Sequence, residues 1–168
     1  MTFLKHNFYK MKRLFFILFC FITIVSTSCK KSSEELPILE YIIFGHFYGL
    51  CRGEKCIEIF RLEKDKLFED TNDKYPNSIN FYAGNYVQLT QQKFTDTKDL
   101  FNSFPIDLLS ETNNVIGQPD AGDWGGLYVE CSFNGVRKFW LIDQMKSNVP
   151  TKYHNFIDKI NEKIKQLQ

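Results

Sequence analysis

Apolar residues recur along this chain with two different periods, and the changes of period mark its elements. Leu127, Val129, Cys131 and Phe133 alternate with Tyr128, Glu130 and Ser132, the period of two of a strand with one face on a core. A second such run, Val136 to Asp143, follows Asn134-Gly135. That dipeptide suits a type I′ turn, because both of its positions need positive φ. A two-residue loop sets Phe133 opposite Val136, Cys131 opposite Lys138, Val129 opposite Trp140 and Leu127 opposite Ile142. Only Lys138 of these eight is polar, so one face of the hairpin goes to the core while Lys138 snorkels past the sheet edge.

After Pro150 the period becomes helical. Tyr153, Phe156, Ile157, Ile160, Ile164 and Leu167 fall on one face of a helix predicted over Thr151–Gln168, and Pro150 suits its first turn. Lys159, Lys163 and Lys165 take the exposed side and favour the negative C-terminal end.

Upstream, Leu39–Leu50 is rich in β-branched and aromatic residues and predicts a strand, with Cys56–Leu62 as its hairpin partner. Leu67-Phe68 begins a short third strand, and Thr71–Asn80 is a polar loop. Phe81–Leu89 carries alternating aromatics and is a further strand candidate. Asp96 is the expected cap of a helix with Leu100, Phe101 and Phe104 on its apolar face. Pro105 stops that helix or begins a turn through Ile106, Leu108 and Leu109. Asn113–Gly126 is a loop with glycines at 117, 122, 125 and 126. The order β-β-β-α-β-β-α predicts an α+β fold: a single antiparallel β-sheet with helices packed on one face. No internal repeat or second domain is visible.

The N-terminus follows another logic. Lys12-Arg13 precedes the apolar run Leu14–Val25, and Ser26-Thr27-Ser28 leads to Cys29. Such a run is too short to span a bilayer and has the length of a signal-peptide apolar region. Met11 is the expected start, since Met1–Lys10 adds nothing a signal needs. The pattern resembles the lipobox of bacterial lipoproteins, in which the cysteine is acylated and becomes the new N-terminus. It departs from that family at Ser26, where an aliphatic residue is usual; Val25 stands one step further back. The expected organisation is a signal peptide over 1–28, lipidated Cys29 with a polar tether over 29–37, and one α+β domain over 38–168.

Cleavage changes the charge. The whole chain has 21 basic and 20 acidic residues; losing Lys5, Lys10, Lys12 and Arg13 leaves 17 basic against 20 acidic, a net −3. That balance gives no electrostatic case for nucleic acid. Export makes a disulfide plausible. Cys51 and Cys56 flank a polar loop, Arg52-Gly53-Glu54-Lys55, and are the expected bridge. Pairing these cysteines across the hairpin would set His46 opposite Arg61, which would lower its tendency to protonate. Cys131 is expected to be a buried, inert thiol.

Candidate chemistry centres on the loop Ile116–Gly126. Asp120 and Asp123 can direct carboxylates at one cation or supply a base, and Trp124 can stack on a ligand. The competing explanation is a tight structural loop with Trp124 folded into the core. His46 would complete a site only if it converged with both aspartates. There is no Gly-x-Ser-x-Gly elbow, phosphate-binding loop, dinucleotide fingerprint or HExxH pair. No cofactor and no metal is expected.

Taken together, Cys29 with its leader, the Phe44–Cys56 hairpin, the Pro119–Gly126 loop and the terminal helix resemble small uncharacterised lipoproteins of Bacteroidota. The resemblance implies a location and no activity. The expected protein is an outer-membrane lipoprotein, lipid-anchored on the periplasmic or surface face of the cell envelope. It would act as a non-catalytic binding or accessory module for an envelope protein or small molecule. The alternative is an envelope enzyme or metal-dependent binder using Asp120, Asp123, Trp124 and His46.

Overall fold

The computed structural model describes residues 39–168. The expected signal peptide, Cys29 and the expected tether lie outside the described residues. Seven strands form one sheet in the order β4-β3-β2-β1-β6-β7-β5. They are β1 (Leu39–Phe47), β2 (Ile57–Glu63), β3 (Leu67–Asp70), β4 (Tyr86–Gln88), β5 (Val115–Ile116), β6 (Gly126–Phe133) and β7 (Val136–Asp143). Every neighbouring pair is antiparallel except β5 and β7, which run parallel. The helices are α1 (Gln91–Thr97), α2 (Leu100–Ser103) and α3 (His154–Leu167). The fold is α+β as expected, but two strands exceed the expected order and one sheet contact is parallel. Among the described residues no helix is long and apolar enough to cross a membrane.

The Asn134-Gly135 hairpin forms with the register its turn dictates: Phe133 faces Val136, Cys131 faces Lys138, Val129 faces Trp140 and Leu127 faces Ile142. Both turn residues have positive φ, 48° at Asn134 and 76° at Gly135. Lys138 is half-buried, and its Nζ donates to the Leu109 carbonyl at 2.5 Å. Cys131 is fully buried and free. Burial and then Glu130 push its thiol up to about 12, so it stays protonated and inert.

The first hairpin differs from expectation. His46 faces Glu58, while Arg61 faces Ile43. The expected register assumed a symmetric loop, and the loop is not symmetric. Glu54–Cys56 winds into a 3-10 turn closed by Cys56 N–H on the Gly53 carbonyl at 3.2 Å, and Tyr48 N–H bonds the Cys56 carbonyl at 3.0 Å. The ladder ends at Phe47 and Ile57, so the cysteines lie in the loop and do not face each other across strands.

The helices cover one face of the sheet. Ile42, Phe44, Leu62, Val129, Trp140 and Ile142 meet Leu100, Phe104, Phe156, Ile157, Ile160 and Ile164 there. The apolar stripe of α3 is buried throughout, and each such side chain contributes roughly 1.5–3 kcal/mol. Lys163 corrects the expected exposed side: it is 5% exposed. Its amine pairs with Asp99 Oδ1 at 2.9 Å and donates to the Asp96 carbonyl. The stem crosses the seam between α3 and α1 to reach these acceptors. Asp96 is not the cap of α1. Thr90 is, its side chain accepting from Lys93 N–H at 3.4 Å, so the helix starts upstream of the expected position.

The opposite face is covered too. Ile43, Phe47, Ile59, Tyr128 and Leu141 pack with Tyr82 of the segment joining β3 to β4. Most of Phe81–Leu89 is therefore a covering loop, with only Tyr86–Gln88 paired as a strand. Buried Asp70 holds this loop: it accepts from Tyr82 O–H at 2.6 Å, Asn85 N–H at 2.5 Å and Asp73 N–H at 3.1 Å. Tyr75 packs edge-on against Phe47, with ring centroids 5.0 Å apart.

Candidate functional site

Tight turns build the loop preceding β6, and Asp120 and Asp123 both adopt positive φ, 58° and 61°. Asp120 ties three segments together. Its Oδ2 accepts from Gly49 N–H at 2.7 Å and Tyr75 O–H at 2.8 Å, and its Oδ1 accepts from Gly125 N–H at 3.0 Å. Desolvation and the bond to Asp120 raise the Tyr75 phenol to about 12, so it remains a donor. Asp123 is exposed at the turn. Trp124 is half-buried, and its Nε1–H donates to Asp143 Oδ1 at 2.7 Å.

Asp143 anchors this end of the sheet. It is fully buried, and besides Trp124 it accepts from Gln118 N–H at 2.9 Å, Met145 N–H at 2.8 Å and Asn148 Nδ2 at 2.8 Å. Burial pushes its acidity down, but the four donors prevail and its pKa lies below the usual carboxylate value. Sequence gave no warning of this role, because Asp143 simply closes an apolar strand.

His46 is buried and engaged elsewhere. Its Nε2 meets the Lys55 carbonyl at 3.0 Å, and its ring stands 5.0 Å from that of Tyr48. Burial lowers its pKa, partly offset by the Lys55 bond. The direction matches the expectation, but Arg61 is not the cause. The Cys51–Cys56 disulfide closes the loop beyond it, with Cα atoms 5.5 Å apart. Among the described residues no three His, Cys, Asp or Glu side chains converge into a group able to hold a metal. His46 and Asp120 are each committed to partners of their own, and no hydrogen bond joins them.

A different place offers an open site. A pocket of about 250 Å³ lies along the outer edge of β7, lined by Phe81, Phe139, Trp140, Arg137, Lys138 and the segment Glu111–Asn114. It exists because β5 pairs only with Leu141 and Ile142. Before Asn114 the chain leaves the edge, held by Glu111, which accepts from Tyr153 O–H at 2.5 Å and pairs with Lys152 at 3.0 Å. Asn114 Nδ2 donates to the Ser78 carbonyl at 2.6 Å, fastening the covering loop to this side.

Buried Glu130 sets the pocket's cationic wall. Its Oε1 accepts from Arg137 Nε at 2.9 Å, Arg137 Nη2 at 2.6 Å and Tyr41 O–H at 2.8 Å, while Oε2 accepts from Tyr128 O–H at 2.6 Å. Arg137 also lies 4.2 Å from the ring centroid of Phe81, itself 40% exposed. The pocket thus combines aromatic surface, a fixed guanidinium, amides and open strand edge, a set suited to binding. The pocket is not legible in the sequence, because its walls lie far apart in the chain. The one available signal was an Arg-Lys pair on an otherwise apolar strand.

No protein-family model matches this chain, and no curated protein matches it.

Proposed function

We propose that this chain is a lipid-anchored lipoprotein of the cell envelope that works as a non-catalytic binding or accessory module. The observation carrying this is the order of a basic pair, an apolar run, small residues and Cys29, which resembles a lipoprotein leader. The Cys51–Cys56 disulfide supports it, because such bonds persist in oxidising compartments. The resemblance to small Bacteroidota lipoproteins points to the outer membrane, on its periplasmic or surface face. Acyl chains on Cys29 would hold the domain to the membrane, and the β7 pocket is its binding site for an envelope protein or small molecule. The mature net charge of −3 gives no attraction to nucleic acid.

Growing expressing cells with an alkyne-tagged palmitate tests the anchor. The tag should enter the wild-type protein in the membrane fraction and be lost from Cys29→Ser. An untagged wild-type protein, or a purified chain that keeps residues 11–28 on its mass spectrum, overturns the reading.

A further inference from the structure

The unpaired part of β7 has a defined chemistry. In an antiparallel ladder, opposite residues alternate between exchanging hydrogen bonds and pointing their backbone groups away. A two-residue turn makes Phe133 and Val136 an exchanging pair, and Cys131 with Lys138 and Val129 with Trp140 follow in step. Arg137, Phe139 and Leu141 therefore turn their N–H and C=O outward. Leu141 shows this directly, its N–H bonding the Asn114 carbonyl at 2.7 Å. Arg137 and Phe139 have no strand opposite them, since β5 pairs only with Leu141 and Ile142.

We infer that this edge takes an extended, acidic segment of a partner protein as an added strand. This deepens the binding-module reading and rests on it, but not on the lipid anchor. Main-chain bonds to Arg137 and Phe139 would supply the attachment, and the adjoining pocket would receive a side chain beside Phe81 and Phe139.

Charge selects the occupant. Arg137 is matched by Glu130 at 2.6 Å. Lys138 has only the Leu109 carbonyl, and no carboxylate pairs with it among the described residues. An acidic residue opposite Lys138 in an added strand completes a cross-strand pair. A second copy of β7 fits badly. Pairing Arg137 with the copy's Phe139 sets two Lys138 side chains opposite one another, and centring the pairing on Arg137 opposes two arginines. Centring on Phe139 brings Arg137 against Leu141, whose outer edge β5 already holds.

The test uses the full protein purified from expressing cells, from whichever fraction holds it. Fluorescence anisotropy follows three labelled heptapeptides: Thr-Val-Glu-Val-Glu-Val-Thr, its analogue with both Glu changed to Lys, and an acidic analogue N-methylated at alternate residues. The acidic peptide should bind about tenfold tighter than the basic one, and N-methylation should abolish binding. Lys138→Gln should erase the preference and Lys138→Glu should reverse it, with near-ultraviolet circular dichroism unchanged. Equal binding of the N-methylated peptide, or a preference for the basic one, overturns the inference. So does absence of binding by all three at about 1 mM, in which case Lys138 only guards the edge against pairing. Concentration-dependent dimerisation blocked by Lys138→Glu would hand the edge to a second copy. None of these outcomes touches the palmitate result.

Discussion

The two hairpins of this sheet obey different rules. β6 and β7 meet across two residues, Asn134 and Gly135, and their register follows from the turn alone. β1 and β2 are separated by a nine-residue connection, Tyr48–Cys56, that contains a disulfide and a 3-10 turn. Their register follows from what the strands pack against. A short turn leaves the backbone one low-energy way to reverse, whereas a longer loop admits several, and packing on both faces chooses among them.

Four changes would break or sharpen this contrast. The largest effect is expected from Gly45→Ala, in the middle of β1. A Cβ there would lie 2.1 Å from the Glu58 carbonyl oxygen and 2.7 Å from Ile59 Cα. Both obstacles are backbone, so β1 and β2 must separate, at a cost of about 3 kcal/mol measured by urea unfolding. Reducing the Cys51–Cys56 bond should cost about 2 kcal/mol, the entropy of a small closed loop. Cross-strand nuclear Overhauser contacts should still place His46 opposite Glu58 after reduction. A shift to Arg61 would mean that the loop, and not the packing, sets the register. Gly135→Ala should cost about 1 kcal/mol through its φ of 76°, again by urea unfolding. There the register should loosen, visible as faster amide exchange near Phe133 and Val136.

The smallest effect is electrostatic and belongs to the first hairpin. Burial, with Glu69, Asp73 and Glu54 nearby, raises the Glu58 carboxyl from the ordinary 4.5 to about 6. The folded protein therefore binds this proton more tightly than the unfolded chain does. The contribution of Glu58 to stability is greatest below pH 4.5 and is lost as pH rises through about 6. His46, with its pKa lowered by burial, acts oppositely: its contribution is present above its ordinary 6.5 and falls away as pH drops below that value. Glu58→Gln should raise the Tm at pH 7.5 by a few degrees and remove the loss of stability that Glu58 causes between pH 4.5 and about 6.

The hairpins also mark how far the sequence was legible. Alternation identified the core face of β6, but Tyr128, Glu130 and Ser132 on its other face are buried as well, at 0%, 0% and 3% exposure. Their polarity suggested solvent. Hydrogen bonds from Tyr41, Tyr128 and Arg137 make the burial of Glu130 tolerable. In the candidate loop the two carboxylates diverge in role: Asp120 ties three segments together, while Asp123 remains at an exposed turn.

Sequence by itself determined the elements whose causes are local. These are the α3 stripe, the Asn134-Gly135 turn with its register, and the pairing of Cys51 with Cys56. Each depends on residues within a few positions of one another. Only the tertiary structure decided the register of β1 on β2, the covering of the second face, the burial of Asp143 and the open edge of β7. Each of these depends on segments distant in the chain, and what a backbone edge or a carboxylate meets there cannot be read from its own neighbours.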